Sequence, residues 1–137
     1  MKKTLKVSIG QYSTAGIKQQ NQDFHGVYLP EGHVLKQKGI VSHLAAETAV
    51  GSFLSDYYST SDAWSTQTSA ERVIRATNSW LYAQTQQSQG RFDKDRGYVC
   101  TLSALILKQQ QAHVFHVGDS RIYRIRDHEI ELLTHDH

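Results

Sequence analysis

Apolar and polar residues alternate from Leu5 to Tyr12 (Leu-Lys-Val-Ser-Ile-Gly-Gln-Tyr), the period of a half-buried strand. A polar loop runs from Ser13 to Gln22. Phe24 to Leu29 reads as a second strand, stopped by Pro30-Glu31-Gly32, and Val34 to Ile40 as a third. The period then changes. Ala46, Val50, Phe53, Leu54 and Tyr57 recur at helical spacing, so residues 43–58 are predicted to form an amphipathic helix with Ser42 as its N-cap. A second helix over 69–86 is expected to start at the capping box Thr68-Ser69-Ala70-Glu71, with Val73, Ile74, Thr77, Trp80 and Leu81 as its apolar face. The stripes Val50–Phe53–Tyr57 and Ile74–Thr77–Leu81 are too narrow for fully buried helices. The two are therefore predicted to pack side by side on one sheet face.

The glutamine-rich run Gln84 to Gln89 is expected to fray into a loop from Gly90 to Gly97. From Tyr98 the period returns to two. Thr101 to Leu107 is almost continuously apolar, as in a strand buried on both faces. Gln109-Gln110-Gln111 makes a polar turn. Ala112 to Val117 and Ser120 to Ile125 follow as strands, broken at Gly118-Asp119. Asp127-His128 is a turn and Ile130 to Leu133 a short last strand. No internal repeat or interdomain linker interrupts this order. Strands, then two helices, then strands favour an α+β layered fold over an alternating parallel sheet.

Composition narrows the function. The 137 residues suffice for one domain, and 39% hydrophobic with 20% charged residues is a globular balance. The formal net charge is only +2 and the basic residues are scattered, so no nucleic-acid partner is expected. No stretch approaches the ~20 apolar residues of a membrane span. The basic start Met1-Lys2-Lys3 has no apolar run behind it and is not read as a signal peptide. A single cysteine, Cys100, excludes an internal disulfide, and a reducing cytoplasm is the expected location. The eight histidines follow no zinc-ligand pattern.

Three short segments carry candidate chemistry. Gly16-Ile17-Lys18-Gln19-Gln20-Asn21-Gln22-Asp23 puts an acid at the mouth of a strand, with a cation five residues earlier. Val117-Gly118-Asp119-Ser120-Arg121 puts an acid behind a glycine between two strands. Leu133-Thr134-His135-Asp136-His137 is the third. Carboxylates at strand ends hold hard cations such as Mg²⁺ or Mn²⁺, which take oxygen ligands and keep several waters. Each acid alone reads more readily as structural: Asp23 as a turn residue bonding its own backbone, Asp119 as a cap on the corner.

Taken together, GIKQQNQD, the threonine-containing strand from Gly97 to Leu107, HVGDSRIYRIR and LTHDH resemble the protein phosphatase 2C (PPM) family. SFLSDYYST, NSWLYAQT and DRGYVCTLSALILK look like the bacterial form fused ahead of a protein kinase domain. The resemblance implies part of an α-β-β-α sandwich of antiparallel sheets with a flanking helix pair. It also implies Mn²⁺ or Mg²⁺ as cofactor and metal-dependent dephosphorylation of phosphoserine and phosphothreonine proteins. A fused or cognate Ser/Thr kinase is the implied partner besides the phosphoprotein substrate. By motif position, Asp23 and Asp119 are metal ligands, and Gln22 touches metal through a water where many members have glutamate. Lys18 stands where the family has a phosphate-gripping arginine, and as a point charge it lacks the bidentate fork. Arg121 reads as structural, and Cys100 and His116 as core residues.

The sequence departs from the family pattern twice. The strand that includes Lys38-Gly39-Ile40 should run into an aspartate-glycine motif, yet no Asp-Gly dipeptide occurs in the chain. Ile40 and Val41 are therefore expected not to be true neighbours, a metal-site loop having dropped out between them. The chain also stops at His137, where the family continues with further metal ligands. The 137 residues are thus expected to be the N-terminal part of a single PPM-type domain and inactive alone. The alternative reading is a catalytically dead fragment or pseudophosphatase acting as a binding or regulatory module.

Overall fold

The computed structural model describes residues 6–17, 19, 23–28, 34–36, 44–87 and 100–136. Among the described residues, six strands and two helices follow one another as β1 (Gly26–Tyr28), β2 (Val34–Lys36), α1 (Leu44–Asp56), α2 (Thr66–Gln87), β3 (Leu102–Lys108), β4 (Gln111–Val117), β5 (Tyr123–Arg126) and β6 (Glu129–Leu132). A single 3-10 turn, Tyr57–Ser59, lies between the helices. The strands pair in sequence as three antiparallel hairpins, β1 with β2, β3 with β4 and β5 with β6. This is the α+β arrangement expected of part of the sandwich.

The helices pack on each other and on one face of the β3–β4 hairpin, as their narrow stripes require. Phe53 of α1 and Ala70 and Val73 of α2 close over Ile106 of β3, and Tyr57, Ile74, Leu102, Ala104 and Phe115 surround them. The stripe that α1 buries is Ala45, Ala49 and Phe53, one residue per turn, so two small alanines let the neighbouring elements come close. On α2 the buried line is Ser69, Ala70, Val73 and Leu81, while Trp80 stays 44% exposed and does not belong to it. Gly26 brings β1 equally close to α1: a Cβ there would lie 2.7 Å from Leu54 Cδ1 and 3.3 Å from Val50 Cγ1.

Four expectations change. Residues 6–15 form no strand, and Val7 and Ile9 remain exposed; alternation makes a strand only where a sheet pairs it and a core covers one face. β3 is buried on one face only, with Leu102, Ala104 and Ile106 toward the helices and Leu105 and Leu107 exposed on the other. The second helix starts at Thr66, not after Thr68. Ser65 is the cap: its Oγ accepts the Thr68 backbone N–H at 3.1 Å. Thr68 thus occupies the third helical position, and Glu71 accepts from Gln67 Nε2 at 2.9 Å. The strand expected from Ser120 begins only at Tyr123, because Ser120, Arg121 and Ile122 are engaged elsewhere, as described below. Ser42 and the Ile40–Val41 junction lie outside the described residues.

Between β5 and β6, Asp127 and His128 both take positive φ (52° and 65°), the pattern of a tight two-residue hairpin turn. One face of this hairpin carries the cross-strand ion pair Arg124–Glu131. The other presents Tyr123, Ile125, Ile130 and Leu132 to the exterior.

Candidate functional site

β4 ends at Val117, opposite Leu102, so the chain leaving β4 turns beside the entry to β3. The turn is made at Gly118, whose φ is +101°. A Cβ at that position would sit 2.5 Å from Thr101 Cγ2 and 2.9 Å from Thr101 Cβ, so both the backbone conformation and the space call for glycine. Ser120 closes the corner from its other side, its Oγ 2.7 Å from Thr101 Oγ1. Asp119 lies between these two anchors with its side chain exposed at the end of the sheet.

The next residues reach across the base of the β5–β6 hairpin. Arg121 donates from Nε to Asp136 Oδ1 at 3.1 Å and from its terminal nitrogen to Asp136 Oδ2 at 2.7 Å. The Ile122 N–H donates to Thr134 Oγ1 at 3.2 Å, and the Leu133 N–H donates to Ile122 O at 2.9 Å. Thr134 is only 2% exposed, which makes its hydroxyl a fixed acceptor. The second and third sequence motifs are therefore one structure, stitched by four hydrogen bonds. The Arg121 hydrogen bond holds the Asp136 carboxyl below its ordinary range; desolvation opposes it, and the charges of Arg121 and then His116 add smaller lowering effects. The same bond to Asp136, with Tyr123 second, holds the Arg121 guanidinium charged. With its fork occupied by Asp136, Arg121 is a structural residue here. Asp136 is a candidate site residue to which its motif alone assigns no role. Its signal was the pair of an arginine and an aspartate in the two motifs that flank a predicted hairpin.

Asp23 is exposed on the segment leading into β1. Lys18 and Gln22 lie outside the described residues. Asp23 and Asp119 are oxygen donors at strand ends, the right chemistry for Mg²⁺ or Mn²⁺. Among the described residues, however, no three His, Cys, Asp or Glu side chains gather where they could hold an ion. The described donors fit such a cation in kind, and among the described residues they do not by themselves make up a full site.

Two other features carry no such chemistry. Cys100 is half-buried, its thiol donating to Ala45 O at 3.6 Å, and burial pushes its pKa up, the opposite of what a nucleophilic thiolate needs. An open pocket of 410 Å³ lies between the start of α2 and the β3–β4 turn, lined in part by Ser65, Lys108 and His113. It sits at the opposite end of the hairpin from Asp119, about 20 Å away at strand rise, and no acid among the described residues lines it. Among the described residues no helix is long and apolar enough to cross a membrane.

A family model described as protein phosphatase 2C matches residues 33–137, which includes α1, α2 and the whole Gly118–Asp136 arrangement. The chain is also 30% identical over 132 residues to the serine/threonine phosphatase stp of Listeria monocytogenes serotype 4b, covering 88% of this chain and 50% of that protein. It thus spans about half the length of the curated relative it matches. No solved structure matches it at a significant level.

Proposed function

The chain belongs to the protein phosphatase 2C family, and from that premise we propose that the domain it forms part of removes phosphate from phosphoserine and phosphothreonine side chains of proteins. The observation that carries this reading is the glycine-led corner that exposes Asp119 inside the matched segment. In this reading Mn²⁺ or Mg²⁺ is the cofactor, Asp23 and Asp119 are two of its carboxylate ligands, and Gln22 contacts it through a water. A bound divalent pair supplies Lewis acidity toward the phosphoryl group and a water of lowered pKa. The chain's own residues bind and orient: Lys18 offers a positive charge to the substrate phosphate, and the anchored corner fixes where the Asp119 carboxylate can go. The substrates are proteins phosphorylated by a Ser/Thr kinase, fused or cognate, in the cytoplasm.

A second reading is favoured by one specific observation: the chain contains no Asp-Gly dipeptide, the motif whose carboxylate bridges the metals in the resembling family. On that reading the fold recognises phosphoproteins without hydrolysing them. Phosphate release from a phosphothreonine peptide by the intact protein, with and without Mn²⁺, separates the two. Metal-dependent release supports the enzyme, and peptide binding without release supports the binding module.

A further inference from the structure

The corner that carries Asp119 is held from two sides. On the β4 side, Gly118 packs against Thr101 and Ser120 Oγ meets Thr101 Oγ1 at 2.7 Å. On the other side the chain would be free to swing after Ser120, because β5 does not begin until Tyr123. What stops it is the base of the β5–β6 hairpin. Asp136 takes both ends of the Arg121 fork, two residues from Asp119, while the buried Thr134 hydroxyl takes the Ile122 N–H. A planar guanidinium bound at two points to a carboxylate fixes orientation as well as distance. A lysine or a single hydrogen bond would fix only distance.

We infer that Asp136 is a positioning residue for Asp119: through Arg121 it locks the corner in the conformation that presents the Asp119 carboxylate to a divalent cation. The role rests on the phosphatase reading, in which Asp119 is a ligand, and it adds a residue fifteen positions from Arg121 that acts through the guanidinium it binds. An exposed ion pair contributes little to global stability. The effect therefore falls on the site: loosening the corner weakens cation binding while the fold persists. Partners that orient a ligand from outside the coordination shell typically change metal affinity by about 10–100-fold when removed. A backbone-relayed lock acts less directly and should lie at or below the lower end of that range, about three- to tenfold.

The test uses the intact protein and four forms: wild type, Asp136→Asn, Arg121→Ala, and the charge swap Arg121→Asp with Asp136→Arg. Mn²⁺ affinity is read by calorimetry, and the Mn²⁺ concentration for half-maximal phosphatase activity is read alongside it. Amide hydrogen exchange over Gly118–Ile122 reads the lock itself. Both single variants are expected to weaken Mn²⁺ binding about three- to tenfold, with kcat at saturating Mn²⁺ little changed and exchange over the corner accelerated. The swap should recover part of each loss, which a merely structural defect would not. Unchanged exchange in folded Asp136→Asn overturns the inference whatever the activity. So does accelerated exchange with unchanged Mn²⁺ affinity. A wild type that binds no Mn²⁺ overturns the phosphatase reading, and the positioning role with it. A wild type that binds Mn²⁺ and is unaffected by Asp136→Asn overturns the positioning role alone.

Discussion

Gly118 and Thr101 are in contact so close that a Cβ on Gly118 would lie 2.5 Å from Thr101 Cγ2, and Gly118 also holds a φ of +101°. The two strands β3 and β4 meet here, and the contact sets where the chain turns to present Asp119.

Gly118→Ala should therefore be costly. The backbone strain alone is worth about 1–3 kcal/mol, and displacement of Thr101 adds to it. Thr101→Ala in the same background removes the Cγ2 contact but leaves the Cβ at 2.9 Å and the unfavourable φ, so rescue should be partial. Urea unfolding of wild type and the two variants measures this. A Gly118→Ala protein within about 0.5 kcal/mol of wild type would show that the corner does not depend on glycine.

The start of α2 gives a second comparison. Ser65 caps the helix by accepting the Thr68 N–H, so Ser65→Ala should cost about 1 kcal/mol. Thr68→Ala should cost well under that, since Thr68 loses only its hydroxyl contact with Ser65 at 2.9 Å. Thermal or urea melts of the two variants decide between Ser65 and Thr68 as the cap, and a larger loss at Thr68 would restore the capping box beginning there.

The Arg121–Asp136 pair makes a pH prediction. The Asp136 carboxyl is held below its ordinary value when folded. Its contribution is therefore present above the unfolded value of about 3.9 and is lost as pH falls through the lower folded value. Wild type and Asp136→Asn should accordingly converge in stability below about pH 4. Above that they should differ slightly, and less as salt is raised, because both side chains are about half exposed. Melting temperatures from pH 2 to 7 at two salt concentrations provide the check. A difference that persists at the acid end would mean that Asp136 acts by something other than its charge.

Much of this fold is legible in the sequence, for identifiable reasons. The helix spacing around Phe53 and Leu81 is strong because each helix has one covered face, and the polar break at Gly118-Asp119 marks the corner directly. The errors come from tertiary context. Leu105 and Leu107 read as buried because their run is apolar, but burial depends on what covers the second face of β3. Val7 and Ile9 alternate correctly yet no sheet takes them up. Ala45 and Ala49 do not stand out as core residues in the sequence because alanine carries little hydrophobic signal, although small size is what lets neighbouring elements approach. At the candidate site, the exposed corner at Asp119 is legible from its glycine-led motif. Asp136 is not, since its partnership with Arg121 exists only after β5 and β6 fold back on each other.

The most direct test of the account is phosphate release from a phosphothreonine peptide by the intact protein with Mn²⁺, comparing wild type, Asp23→Ala and Asp119→Ala, with the 137-residue chain alone as a fourth sample. The account predicts release by wild type that needs Mn²⁺ and stops when a chelator removes it. Asp23→Ala should fall to the metal-only control, Asp119→Ala should need more Mn²⁺, and the isolated chain should release no more phosphate than the metal alone. Release that survives the chelator, or that is unchanged in Asp23→Ala, would contradict it.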